Sequence, residues 1–189
     1  LLTYYDRGFS GNPSDVGSDR TYSMDVQPQE YPGLGIGDYR SSALIIRNTD
    51  QSYCCDLRYK SHTIRNGKYA LQGLPAVYAD DSEAQTLEIV LEDAVSKVQV
   101  ALLYGVLDQA DIITRSAEIR NCGTGSICVK KAASACLDFV EGTYDLLSFW
   151  GRHTMERNLE RQEIGHCDHV IGSRRGTSSH QYNPAVVIA

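Results

Sequence analysis

The sequence predicts an all-β protein, a large antiparallel β-sandwich with few short helices. Three observations carry that expectation. Short runs rich in β-branched and aromatic residues recur along the 189 residues, turn-forming clusters separate them at close intervals, and several runs alternate between apolar and polar positions. Spacing of this kind is what sandwiches produce. Hydrophobic residues make up 42% of the chain, enough to bury a sizeable core as a single domain over 1–189.

Residues 1–40 read as a loop-rich arm. Phe9-Ser10-Gly11-Asn12-Pro13 and Tyr31-Pro32-Gly33-Leu34-Gly35-Ile36-Gly37 punctuate it too often for regular structure, while Asp6, Arg7, Asp19, Arg20, Asp38 and Arg40 load it with charge. Ordered loops of this length are usually functional. The tyrosines and aliphatics among the charges predict docking, the alternative being a flexible terminal arm.

Strands then follow in series. Residues 44–46 end at Asn48, and residues 53–64 alternate up to Asn66-Gly67, a dipeptide that predicts a tight hairpin because it tolerates positive backbone angles. Residues 86–91, 98–103, 112–119 and 127–135 continue as a meander. Glu92-Asp93, Asp108-Gln109-Ala110-Asp111 and Asn121-Cys122-Gly123-Thr124-Gly125 separate them.

Composition excludes several roles. Eighteen basic against 24 acidic residues give a net charge of −6 without a basic stripe, so nucleic acid is not an expected partner. No apolar run of about 18 residues offers a helical membrane span. Leu1-Leu2-Thr3-Tyr4-Tyr5 lacks the basic flank and apolar length of an export signal, so the expected compartment is the cytoplasm. A chain that opens in mid-pattern without Met is expected to be a fragment. The six cysteines show no repeated Cys-x-x-Cys spacing and are expected as free, mostly buried thiols in a reducing environment.

Other chemistry is thinly signalled. His166-Cys167-Asp168-His169 has no distant partner motif for a metal, so neither a metal site nor any other cofactor is expected. Ser173, Ser178 and Ser179 near His180 lack a Gly-x-Ser-x-Gly elbow. Carboxylates abound, yet the separation that would make two of them a glycosidase pair is not written in a sequence.

Twelve consecutive residues stand apart: Ser173-Arg174-Arg175-Gly176-Thr177-Ser178-Ser179-His180-Gln181-Tyr182-Asn183-Pro184. This run resembles the Ser-Arg-Arg-Gly-x-Ser-Ser-His-Gln-x-Asn-Pro stretch of the bacterial α-galactosidases of glycoside hydrolase family 36. The likeness covers nearly the whole chain. It takes in Tyr5-Asp6-Arg7-Gly8-Phe9-Ser10, Asp19-Arg20-Thr21-Tyr22-Ser23, Gln29-Glu30-Tyr31-Pro32 and Gly37-Asp38-Tyr39-Arg40. Within the strands it takes in Asp56-Leu57-Arg58-Tyr59-Lys60-Ser61-His62, Leu71-Gln72-Gly73-Leu74-Pro75-Ala76, Glu83-Ala84-Gln85-Thr86-Leu87-Glu88-Ile89, Ile113-Thr114-Arg115-Ser116 and Trp150-Gly151-Arg152.

The resemblance implies an amino-terminal β-supersandwich, galactose-mutarotase-like, joined through residues 170–189 to a catalytic (β/α)8 barrel absent from this sequence. Family members are retaining exo-glycosidases that remove terminal α-galactosyl groups from melibiose- and raffinose-type oligosaccharides, with both catalytic aspartates on the barrel. The nucleophile's Lys-Trp-Asp-x-Asn motif is nowhere in this sequence, so no residue here is assigned a catalytic role.

In tetrameric members the amino-terminal domain of one subunit reaches the neighbour's pocket, and the matching residues are Asp6, Arg20 and Trp150. A carboxylate and a guanidinium hydrogen-bond sugar hydroxyls, and an indole offers an apolar face to a pyranose ring. The alternatives are an Asp6–Arg20 pair that orders the arm, and Trp150 as core filler. Arg174, Arg175, His180, Gln181 and Asn183 are expected to lock the domain junction. Two departures stand out: Ala185 where phenylalanine commonly follows Asn-Pro, and His153-Thr154-Met155 in place of a more acidic and aromatic stretch. A stand-alone carbohydrate-binding module and a pure oligomerisation scaffold are the competing roles.

Overall fold

A central strand that alternates and is also apolar on its second face sets the plan of the first half of the molecule. In a computed structural model of the chain, residues 29–38, 40–73, 77–139, 142–174 and 181–189 are described. Their regular elements are β1 (Leu44–Arg47), β2 (Arg58–Asn66), β3 (Gln85–Glu92), β4 (Val98–Leu107), β5 (Ile112–Asn121), β6 (Cys128–Ala132), β7 (Asp145–Arg152), β8 (Met155–Glu163) and β9 (Tyr182–Ile188). One 3₁₀ turn, Asp108–Ala110, links β4 to β5. Every pairing between named strands is antiparallel, as an all-β meander requires. The chain divides into two compact units, 1–138 and 139–189.

In the first unit, β2-β3-β4-β5 form one sheet and β1-β6 a second. Val98, Val100 and Leu102 lie on one face of β4 and pack with Leu44 and Ile46 of β1 in a core completed by Tyr31, Ala43 and Cys55. The period of two along β4 delivers this directly. Ile89 and Leu91 on β3 and Ala117 and Ile119 on β5 stand beside them in register and extend the apolar layer. Ala101 and Leu103, on the opposite face of β4, are also buried.

Loop chemistry closes the unit. The buried Asp93 accepts Val95 and Ser96 N–H groups on Oδ1 (2.8 and 3.1 Å) and the Asp56 N–H on Oδ2 (3.0 Å), so one carboxylate folds the β3–β4 turn and anchors the approach to β2. At the start of the described residues, Tyr31 donates its hydroxyl to the Ala133 carbonyl at 2.6 Å, and Pro32 O accepts from Ala43 N at 2.9 Å.

Two sequence expectations change. Asn66-Gly67 does not make a tight hairpin: Gly67 takes φ +84°, but its N–H donates to Ala84 O, 2.8 Å away, and β2 meets β3 only after residues 67–84. The reason lies in the outward path, where Lys68 packs against Gly105 of β4 and the neighbouring Tyr69 is buried. The tight turn would leave that part of β4 uncovered. Strand β2 also starts at Arg58 rather than at residue 53.

The second unit is the sheet β8-β7-β9, with β7 central. Leu146 and Ser148 of β7 are buried, whereas β8 is exposed along most of its length. Pro184 falls in β9 where the β7 pairing skips from Val186 to Tyr182, a place where the missing N–H is not needed by the ladder.

The six cysteines are free thiols, but Cys55 alone among them is buried, while Cys54, Cys122 and Cys167 are exposed. This corrects the expectation that most lie inside. Burial, reinforced by the Asp93 carboxylate, pushes the Cys55 thiol up to about 12. Brief alkylation of the native chain at neutral pH should therefore modify Cys54, Cys122 and Cys167 and spare Cys55, all six reacting in denaturant. Mass spectrometry of the peptides checks this, and labelling of native Cys55 at the rate of Cys54 would contradict the burial argument.

Candidate functional site

The β7–β8 hairpin builds the site. Arg152 pairs with Met155, leaving His153-Thr154 as a two-residue turn, and Thr154 takes the left-handed conformation at φ 68°. Gly151 makes the geometry possible. A Cβ there would stand 2.2 Å from Met155 O and 2.9 Å from the Glu156 Cα, so no other residue allows β8 to come this close. The pairing slips between Trp150 and Arg152, and that bulge turns the end of β7.

Trp150 stands immediately before the slip. It is 44% exposed, with Asn158 of β8 opposite on one side and Tyr182 of β9 opposite on the other. The backbone around it is pinned from both directions. Gly151 N–H donates to Gln181 O at 3.2 Å, and Asn158 Nδ2 donates to Met155 O at 3.0 Å and to Trp150 O at 3.4 Å. Arg152 lays its guanidinium against the Met155 sulfur, with Nη2 at 3.2 Å. A backbone held this way presents the indole from a strand rather than from a loop.

The expected site residues fall as follows. Asp6, Arg20, Arg175 and His180 lie outside the described residues. Trp150 is partly exposed. Arg174 is exposed, Gln181 holds Gly151 through its carbonyl, and Asn183 is half-buried with its Nδ2 lacking a hydrogen-bond partner among the described residues. Tyr182, which the sequence reading passed over, stands beside Trp150 because of a register that no local pattern announces. His169 Nδ1 sits 3.0 Å from Gln162 Nε2, and no group of three metal-ligating side chains occurs among the described residues.

A second polar cluster lies in the first unit. Glu30 Oε1 accepts from Arg115 Nη2 at 2.9 Å and from the Tyr104 hydroxyl, and the Arg115 guanidinium lies over the Tyr104 ring, 4.0 Å from its centre. The Arg115 side chain is 11% exposed. Burial raises the Glu30 carboxyl above its ordinary range, against the opposing pull of Arg115, and burial lowers Arg115. Nearby, Arg40 pairs with Asp38 at 2.8 Å and with Asp138, whose carboxylate also accepts the Gln29 N–H at 2.8 Å. These contacts tie the last residues of the arm to the rest of the unit. A cleft of about 470 Å³ opens between turns of the same unit, lined by Asn48, Asp50, Ser52, Asp93, Lys97 and Thr124 among others, and includes none of the expected site residues.

Comparison with known proteins gives one family. The sequence profile of the glycosyl hydrolase family 36 N-terminal domain matches residues 4–189. The bifunctional alpha-galactosidase/sucrose kinase AgaSK of Mediterraneibacter gnavus is 64% identical over 189 residues, 100% of this chain and 20% of that protein. Alpha-galactosidase AgaA of Geobacillus stearothermophilus is 42% identical over 184 residues, 97% of this chain and 25% of its own length. Among solved structures, the galactosidase domain of AgaSK superposes with a TM-score of 0.89 at 64% identity, covering 100% of this chain and 26% of that one. An AgaA variant in complex with raffinose gives 0.84 at 41% identity, covering 98% and 26%. Another in complex with stachyose gives 0.84 at 41%, covering 100% and 26%. The chain thus spans a fifth to a quarter of the length of the curated relatives it matches.

Two outcomes follow from the geometry. Gly151→Ala should lower stability by about 1–3 kcal/mol, as inserted atoms do in a filled space, and shift the emission of Trp150, the one tryptophan in the chain. Chemical unfolding followed by fluorescence reads both, and an unchanged midpoint would refute the close approach. For Glu30, a folded-state value above the unfolded one means that the folded chain holds the proton more tightly, so stability is greatest below the unfolded value and declines as pH rises through the folded one. Glu30→Gln should flatten that decline, measured as unfolding midpoints at intervals upward from pH 4.

Proposed function

This chain belongs to the glycosyl hydrolase family 36 N-terminal domain family, and from that premise we propose that it is the non-catalytic amino-terminal domain of a retaining α-galactosidase acting on melibiose- and raffinose-type oligosaccharides. The domain assembles the enzyme as a tetramer in the cytoplasm and lends Asp6, Arg20 and Trp150 to the sugar pocket of a neighbouring subunit. The observation that carries this reading is Trp150. A large indole carried on a pinned backbone at the end of β7 and left 44% exposed is suited to the C–H face of a pyranose.

The relatives' complexes with raffinose and stachyose support the substrate class. Retaining cleavage needs two carboxyl groups flanking the scissile bond, about 5–5.5 Å apart, and in this family they belong to the barrel. The domain therefore contributes binding and orientation, which raise the rate only when they favour the transition state. Asp6 and Arg20 supply hydroxyl contacts, acceptor and donor respectively. Arg174, Arg175, His180, Gln181 and Asn183 form the junction with the barrel; the buried, unpartnered Nδ2 of Asn183 suits a carbonyl supplied by that domain.

The test is made in the full-length enzyme on a chromogenic α-galactoside, with this 189-residue chain assayed beside it. The chain alone should be inactive. Asp6→Ala, Arg20→Ala and Trp150→Ala should each reduce kcat/KM about tenfold or more, equivalent to ~1.4 kcal/mol, with the tetramer intact by light scattering. Dissociation of the tetramer accompanying the loss would reduce the domain to a scaffold, and unchanged activity in all three would refute the composite pocket.

A further inference from the structure

We propose that Tyr182 and Trp150 together form an aromatic shelf for a bound oligosaccharide, with Tyr182 meeting a sugar ring beyond the first two, which makes Tyr182 a determinant of preference for α-galactosides longer than a disaccharide. The inference rests on the reading of Trp150 as a sugar contact and extends it to a residue to which neither the sequence nor its resemblance gave a role.

The register supplies the geometry. Trp150 and Tyr182 are direct partners across β7 and β9, so their side chains leave the same face of the sheet with Cβ atoms about 4.5–5.5 Å apart. Both are open, Tyr182 at 49%. Neither rides on a loop tip: Trp150 is fixed by the Asn158 amide and the hydrogen bond from Gly151, while Tyr182 follows Gln181, whose carbonyl receives that bond. Two aromatic side chains on one face offer a saccharide more apolar surface than one indole does.

The chemistry suits a saccharide rather than an apolar partner. The Tyr182 hydroxyl has no partner among the described residues and can donate to or accept from a sugar hydroxyl, while its ring covers C–H groups. The immediate cross-strand neighbour on the other side of Trp150 is the polar Asn158, not an aliphatic residue. The relatives' complexes with a tri- and a tetrasaccharide fit a shelf reaching beyond the first two rings.

The experiment compares substrates in the full-length enzyme. Tyr182→Ala, Tyr182→Phe and Trp150→Ala are assayed on p-nitrophenyl α-galactoside, raffinose and stachyose. Tyr182→Ala is expected to lower kcat/KM for raffinose and stachyose five- to tenfold, chiefly through KM, while the aryl galactoside changes less than twofold. Tyr182→Phe, which keeps the ring and the fold, is expected to restore most of the loss. A fold defect would depress all three substrates together, so an equal loss on all three, in Tyr182→Ala and Tyr182→Phe alike, overturns the proposal. So does an unchanged raffinose-to-aryl ratio in Tyr182→Ala. The two readings fail separately: loss of activity in Trp150→Ala with Tyr182→Ala silent removes the shelf and keeps the pocket, whereas silence in both removes the pocket as well.

Discussion

Burial of β4 on both faces is the constraint from which the first unit follows. Val98, Val100 and Leu102 require a second layer on their side, and β1 provides it with Leu44 and Ile46. Ala101 and Leu103 require cover on the other, and part of that face is taken by the excursion through Lys68 and Tyr69. A strand in this position must be central, so β3 and β5 flank it and β2 is pushed to the edge. The long connection between β2 and β3 is thus a consequence of the needs of β4. Asp93 and Glu30 then fix the turns and the approach of the arm with hydrogen bonds to groups that the sheet has already placed.

The second unit obeys a different rule. Few of its apolar side chains are buried among the described residues, and its order rests on backbone complementarity: Gly151 lets β8 approach, Thr154 takes the strained turn, and Asn158 spends its amide donors on two carbonyls. Because β9 is mostly exposed and β7 ends in the bulge, the aromatic residues at these places remain open. The exposure of Trp150 and Tyr182 is a direct result of a thin, bulged sheet. Thr154 at φ 68° is a position where a β-branched residue is costly, and costs of that kind persist where the surroundings over-determine the backbone.

The first unit was largely legible and the second was not, for physical reasons. The runs at 86–91 and 112–119 alternate and 98–103 is a short apolar run covered on both faces, and each of these is a local signal. Strand β8 reads Met-Glu-Arg-Asn-Leu-Glu-Arg-Gln-Glu, exposed on both faces, so no burial pattern marks it. Strand β9 begins inside a polar run and contains Pro184, which argues against a strand until its pairing is seen. Glu30 and Arg115 both lie in motifs recognised from sequence, but they are 85 residues apart and only the fold joins them. Trp150 was identified by resemblance; its openness and its partnership with Tyr182 depend on register, which composition does not encode.

The edges of the two units bear on where a second domain belongs. Edge strand β2 carries Arg58, Lys60 and Arg65, paired with Asp56, Glu92 and Glu88, and β8 carries Glu156, Arg157, Glu160, Arg161 and Glu163. Charged edges of this kind repel further strands and remain soluble unpartnered. Strand β9 has no charged residue in its seven positions, and Tyr182, Val186 and Val187 are all exposed. Pro184 and the pairing slip beside it are its one defence against edge pairing. An uncharged, apolar edge is stable in water only when something covers it, and the same strand carries the unpartnered Asn183. That asymmetry supports the assignment of residues 170–189 to the junction with the catalytic barrel. It also puts the junction next to the shelf, so a barrel seated on β9 and a sugar lying on Trp150 and Tyr182 would share one rigid strand as their common reference.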